Sequence, residues 1–115
     1  MWDNLAAVWQ NYMQISDIKV ILPVCIDDKE ALDKLEAAVP CDKFTICELT
    51  APTNVLDVRV TEREPNKYWQ EKLRGQVQAY ANRKEKFADF QIGTENLTPE
   101  QTAHDIIQQL GWLPN

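Results

Sequence analysis

The sequence predicts an α/β fold: a layered, mainly parallel sheet of three strands flanked by about five helices, in the order α-β-α-β-α-α-β-α. Three observations predict it. Runs rich in β-branched and apolar residues at 18–26, 44–49 and 90–92 read as strands. Between them, apolar residues recur at three- and four-residue steps, the spacing of an amphipathic helix. Strands that alternate with helices in this way build parallel sheets, because the helix carries the chain back across the sheet. At 115 residues and 13.3 kDa the chain is expected to form one domain over 1–115, with a helical region at 52–86.

Residues 3–15 carry Leu5, Val8, Trp9, Tyr12 and Met13 at helical spacing, with Asp3 as the expected N-cap. The run Ile18-Lys19-Val20-Ile21-Leu22-Pro23-Val24-Cys25-Ile26 is almost continuously apolar and suits a strand covered on both faces. Pro23 lacks an amide donor, so that strand ends, bulges or lies at an edge there. Asp28 is placed to cap a helix over 29–39, and Pro40-Cys41-Asp42 breaks it. A second strand at 44–49 leads through Thr50-Ala51-Pro52 into a helix at 52–63. Asn66 then caps a longer polar helix to about 86, whose narrow apolar face holds Trp69, Leu73, Val77 and Tyr80. Phe90-Gln91-Ile92 forms the third strand. The last helix has the clearest start: Thr98, Pro99 and Gln101 compose a capping box, and Gly111 is the residue that ends it.

Eighteen acidic against twelve basic residues give a net charge of -6 and a pI near 4.7. Phosphate backbones and anionic bilayers are held by clustered Lys and Arg, so neither a nucleic acid nor a membrane is the expected partner. No apolar run is long enough to span a bilayer and the start lacks a basic signal region, so a cytoplasmic location is expected. Three cysteines, without a C-x-x-C pair, agree with a reducing compartment. Cys25 and Cys47 lie in apolar runs and are expected to be buried, whereas Cys41 in its polar turn is the expected exposed thiol. One histidine, His104, leaves no ligand cluster for a metal and no Cys-His or Ser-His pair for nucleophilic catalysis.

Three stretches together resemble the C-terminal half of a small P-loop kinase of the nucleoside and small-molecule kind. The strand Lys43-Phe44-Thr45-Ile46-Cys47-Glu48-Leu49-Thr50-Ala51-Pro52 feeds a helix with Leu56, Arg59 and Arg63. The stretch Ala88-Asp89-Phe90-Gln91-Ile92-Gly93-Thr94-Glu95-Asn96-Leu97-Thr98-Pro99-Glu100-Gln101 is similar to that family's closing strand, turn and helix start, with Gly93 where Asp is usual. The helix with Leu5, Ala6, Val8 and Trp9 looks like its connecting helix, and the strand at 19–25 like its middle strand. The resemblance implies that 52–86 is a lid and that Arg59 and Arg63 contact phosphate. It also implies that Gly93, Thr94 and Glu95 form a loop beside the nucleotide base. The Walker A segment is missing: with Gly75, Gly93 and Gly111 as the only glycines, no G-x-x-x-x-G-K-[ST] loop exists.

Each candidate also has a plainer reading. Arg59 and Arg63 share a helix face and either converge on an anion or form surface ion pairs with Glu62 and Glu64. Asp27 is a weak metal candidate at the end of an apolar strand, or simply solvated beside the capping Asp28. Gly93, Thr94 and Glu95 alternatively make an ordinary strand-to-helix turn. A kinase-like sheet without its central strand leaves backbone groups unpaired, which points to a homodimer or to a partner chain that fills the sheet. Trp2, Leu5, Trp9, Tyr12 and Met13 are the expected interface, unless the two tryptophans pack in the monomer's own core. The expectation is therefore a non-catalytic interaction module derived from the kinase-like fold, self-associating or completing another chain, with no cofactor. The alternative is a binder of a nucleotide or phosphorylated small molecule whose phosphate cradle comes in trans, with ATP and Mg²⁺ as its cofactors.

Overall fold

The computed structural model describes residues 1–41, 43–83 and 86–113. Their elements run α1 (Trp2–Tyr12), α2 (Lys29–Ala38), β1 (Cys47–Thr50), α3 (Thr53–Arg63), α4 (Lys67–Ala81), β2 (Phe90–Gly93) and α5 (Pro99–Gln109). The architecture is α/β, but the expected three-stranded sheet and eight-element order are corrected. The sheet has two strands, β1 and β2, paired in parallel with Cys47 opposite Phe90 and Thr50 opposite Gly93.

The missing strand is 18–26. This segment is extended and alternates: Ile18, Val20, Leu22, Val24 and Ile26 are half-buried, whereas Lys19, Ile21, Pro23 and Cys25 are exposed. Among the described residues, no backbone ladder bond joins 20–25 to another strand. The β-branched run sets the extended backbone, but it covers one face only, and Pro23 deletes a donor at its middle. Cys25 falls on the outer face for the same reason, which corrects the expectation that it is buried.

The chain divides into two compact units, Met1–Phe44 and Thr45–Asn115. In the first, α1 packs on α2 around Trp9, Leu35, Ala38 and Val39. Trp2, Leu5, Ala6, the inner face of the extended segment and Phe44 close over them. Asp28 caps α2 by accepting a hydrogen bond from the Ala31 amide at 2.8 Å, as its position in the sequence predicts. Met1 rather than Asp3 occupies the N-cap of α1, which leaves Asp3 in the first turn, where a carboxylate favours the helix dipole.

In the second unit, α3 and α4, which lie between the two strands in sequence, pack against each other, and α5 follows β2. Asn66 caps α4 through its side-chain oxygen, which accepts from the Tyr68 and Trp69 amides. That helix ends at Ala81, short of the expected boundary, and its expected continuation over 84–85 lies outside the described residues, as does Asp42. The capping box of α5 is present in both directions. Its far end is a Schellman motif: Gly111 takes φ 71°, its amide donates to Gln108 and the Trp112 amide donates to Ile107.

Candidate functional site

The two-stranded ladder is clipped at both ends, and the clips bring together residues singled out from sequence. At the N-terminal end, the Asp89 carboxylate accepts from the Ile46 amide at 2.6 Å while the Asp89 amide donates to the Ile46 carbonyl at 2.8 Å. At the C-terminal end, the Thr94 amide and hydroxyl both donate to the Thr50 carbonyl, at 2.8 and 3.0 Å. Arg59 reaches this turn from α3. Its Nη1 donates to Thr94 Oγ1 at 2.9 Å and its Nη2 to the Thr94 carbonyl at 3.0 Å. A guanidinium is a rigid fork of donors, so two bonds to one residue fix both the turn and the helix that carries the arginine.

Arg63, one turn further along α3, is exposed and makes no hydrogen bond or ion pair among the described residues. With Leu56, Arg59, Val60, Glu64, Leu73 and Val77 it lines a groove of about 310 Å³ between α3 and α4. The groove has apolar walls and an edge of two arginines beside one carboxylate, Glu64, so Arg63 is the group there that could meet an anion with an apolar body. Gly93 and Glu95 flank Thr94; the Glu95 carboxylate lies beside the Gly93 α-carbon, where a Cβ would meet it at 3.1 Å. Asp27 is exposed, and among the described residues no group of three metal-ligating side chains stands together.

A second constellation escaped the sequence reading. Glu48, in the middle of β1, has a side chain only 9% exposed, and among the described residues it accepts from three donors. Gln91, its register partner on β2, donates to Oε1 at 2.7 Å. Arg83 Nη2 approaches Oε2 at 3.2 Å, and the Tyr80 hydroxyl donates to the same oxygen. The Arg83 guanidinium also lies over the rings of Tyr80 and Phe87, at 4.5 and 5.2 Å. Burial, then the hydrogen bond and charge of Glu48, push the Tyr80 phenol up to about 12, partly offset by Arg83. A carboxylate with both oxygens engaged is a poor general base; this one ties the end of α4 to the sheet. The signal in the sequence was a lone acid at the centre of one short strand and an amide at the centre of the other.

The expected interface residues separate. Trp2, Leu5 and Trp9 pack on the core of the first unit, and the Trp9 indole donates to the Pro40 carbonyl at 3.1 Å. Tyr12 and Met13 are exposed. Of the thiols, Cys41 is exposed and Cys47 half-buried; burial first, and the Glu48 charge second, raise the Cys47 pKa.

Compared with known protein families, with curated proteins and with solved structures, the chain matches none. Together with the two-stranded sheet and the missing phosphate loop, this overturns the resemblance to a P-loop kinase. The stretches that carried it have local explanations: a capping box starts α5, and Thr94 closes the ladder with Arg59.

Proposed function

We propose that the chain is a non-catalytic interaction module whose apolar surface is completed by another chain. One observation carries this reading: much of the large apolar surface lies outside. In the second unit Ile92 is the buried apolar side chain among the described residues, while Leu49, Val58, Tyr68, Trp69 and Tyr80 are exposed. In the first unit Val8, Tyr12, Met13, Ile15 and Ile21 are exposed. Exposed apolar surface marks association sites where it is contiguous; Tyr68 and Trp69 adjoin, with ring centroids 5.3 Å apart, and aromatic side chains are the usual anchors. The two-stranded sheet adds open edges that accept a further strand. Among the described residues no helix is long and apolar enough to cross a membrane.

The test is native isolation of the tagged chain from its own cells, with the mass of the complex measured. A species heavier than 13.3 kDa that loses mass when Trp69 or Tyr12 is changed to Glu is expected. A lone monomer, with or without these substitutions, would overturn the reading.

The unengaged Arg63 at the mouth of the α3–α4 groove supports a second reading, a binder of a phosphorylated small molecule whose other contacts come from another chain. Thermal unfolding with Mg-ATP and Mg-ADP tests it. A ligand at one hundred times its dissociation constant stabilises by about 2.7 kcal/mol, and Arg63→Ala should abolish the shift. No shift with either nucleotide or with inorganic phosphate would remove this reading.

A further inference from the structure

On the reading that the chain is an interaction module, we propose that the outer face of α1 is a self-complementary surface that pairs two copies of this chain, antiparallel, about a two-fold axis at Val8. At 100° per residue, Met1, Leu5, Val8, Tyr12 and Ile15 fall within an arc of about 80° on a helix. Leu5, Val8 and Tyr12 lie inside α1, Met1 is its N-cap, and Ile15 sits in the turn that follows. The stripe is distinct from the face that holds Trp2, Ala6 and Trp9 against α2, and the two share only Leu5. Val8 is 45% exposed, Tyr12 40%, Ile15 54% and Met1 72%. The steps along the stripe are four, three, four and three residues, the seam spacing of paired helices.

Two features favour a second copy as the occupant. The first is symmetry. Met1 and Ile15 stand seven residues either side of Val8, with Leu5 three before it and Tyr12 four after it. Read backwards, the stripe is nearly itself: Val8 meets Val8, Met1 meets Ile15, and Leu5 and Tyr12 meet one residue out of register. A two-fold interface requires this self-match, since each surface must complement its own copy. The second is charge. The chain carries a net charge of -6, so most of its faces repel a copy of themselves, yet Asp3 is the only charged side chain in α1. The edge of the stripe is formed by Asn4 and Asn11, exposed amides that both donate and accept and that the antiparallel arrangement brings to one flank, a residue out of register. An 11-residue helix is short, so the contact belongs to the small, concentration-dependent class of interface.

The experiment is sedimentation equilibrium of the purified chain from micromolar to millimolar concentration. The mass is expected to rise from 13.3 kDa toward twice that value. Val8→Glu places two carboxylates at the two-fold axis and is expected to weaken the dimer by at least about tenfold. Trp69→Glu, on α4, leaves it unchanged. Val8 is exposed, so the Val8→Glu chain is expected to fold, which retained tryptophan fluorescence and helical circular dichroism verify. In a Cys25→Ser, Cys41→Ser background, Val8→Cys is expected to give a disulfide-linked dimer under mild oxidation, and Gln10→Cys on the polar face is not. A wild-type monomer at every concentration, or a dimer that survives Val8→Glu, overturns the inference. A recombinant monomer that is nevertheless heavier when isolated from its own cells would leave the interaction reading standing with a different partner.

Discussion

Arg59 and Glu48 carry the most information per residue, because each spends its polar atoms inside the chain. Arg59 holds Thr94 by side chain and carbonyl at once, so replacing it by Lys keeps the charge and loses the fork. Arg59→Lys is expected to lower stability by about 1–2 kcal/mol in urea unfolding, since a charge-assisted bond is lost. Among the described residues, Glu48 and Arg83 form the one ion pair whose side chains are both largely shielded, 9% and 13% exposed. The exposed pairs Lys29–Asp33 and Lys34–Glu30 contribute little by comparison. Removing one member of a shielded pair strands the other, so Glu48→Gln is expected to destabilise more than Asp33→Asn does in the same assay. The Tyr80 phenol, raised to about 12, stays protonated in the folded chain where an unfolded tyrosine already ionises near 10. Its stabilising contribution is therefore complete below pH 10 and lost as pH rises toward 12. Absorbance at the phenolate band should show a step near pH 12 that Tyr80→Phe removes. The thiols divide likewise: Cys25 and Cys41 are exposed, whereas Cys47 is half-buried with a raised pKa, so a thiol reagent should titrate two groups quickly and one slowly.

Helix starts and stops were the most legible elements, since a cap is a short-range contact written in adjacent residues. Asp28, Asn66 and the Thr98–Gln101 box all act where the sequence places them. Thr98→Ala and Asp28→Ala are each expected to cost about 1 kcal/mol, read as a lower midpoint in denaturant without a change of slope. Within the first unit Leu35 is the most buried side chain, at 2% exposure, and it touches both helices' shared core. Leu35→Ala should cost about 2–5 kcal/mol, enough to unfold that unit at modest temperature. The strands were less legible. A β-branched run specifies an extended backbone, yet a strand exists only when a neighbour supplies the ladder, and residues 20–25 find none among the described residues. The short β1 and β2 succeed because Asp89 and Thr94 close their ladder at both ends.

Across the whole chain, acidity keeps copies apart, and on the proposed self-pairing the exposed apolar side chains draw them together. Near pH 4.7 the net charge vanishes and the first effect is lost. Light scattering is therefore expected to peak near pH 4.7 and to fall again on either side. Much of the candidate site was legible as a set of residues but not as an arrangement. Arg59 and Thr94 were both singled out, and the structure joins them, though to each other rather than around a ligand. The Glu48 constellation was not seen because its members lie between 32 and 43 residues apart, and no local pattern links a strand centre to the end of a distant helix.

Sequence alone determined the five helices of the described residues, the caps of α2, α4 and α5, the two strands that pair and the acidic charge of the chain. These follow from contacts a few residues apart and from composition. Tertiary structure decided that 18–26 stays outside the sheet, that Cys25 faces outward, that Trp9 turns inward and that Glu48 is shielded. Each of these depends on which distant segment covers which face, a choice made by burial and hydrogen-bond partners that no local spacing encodes.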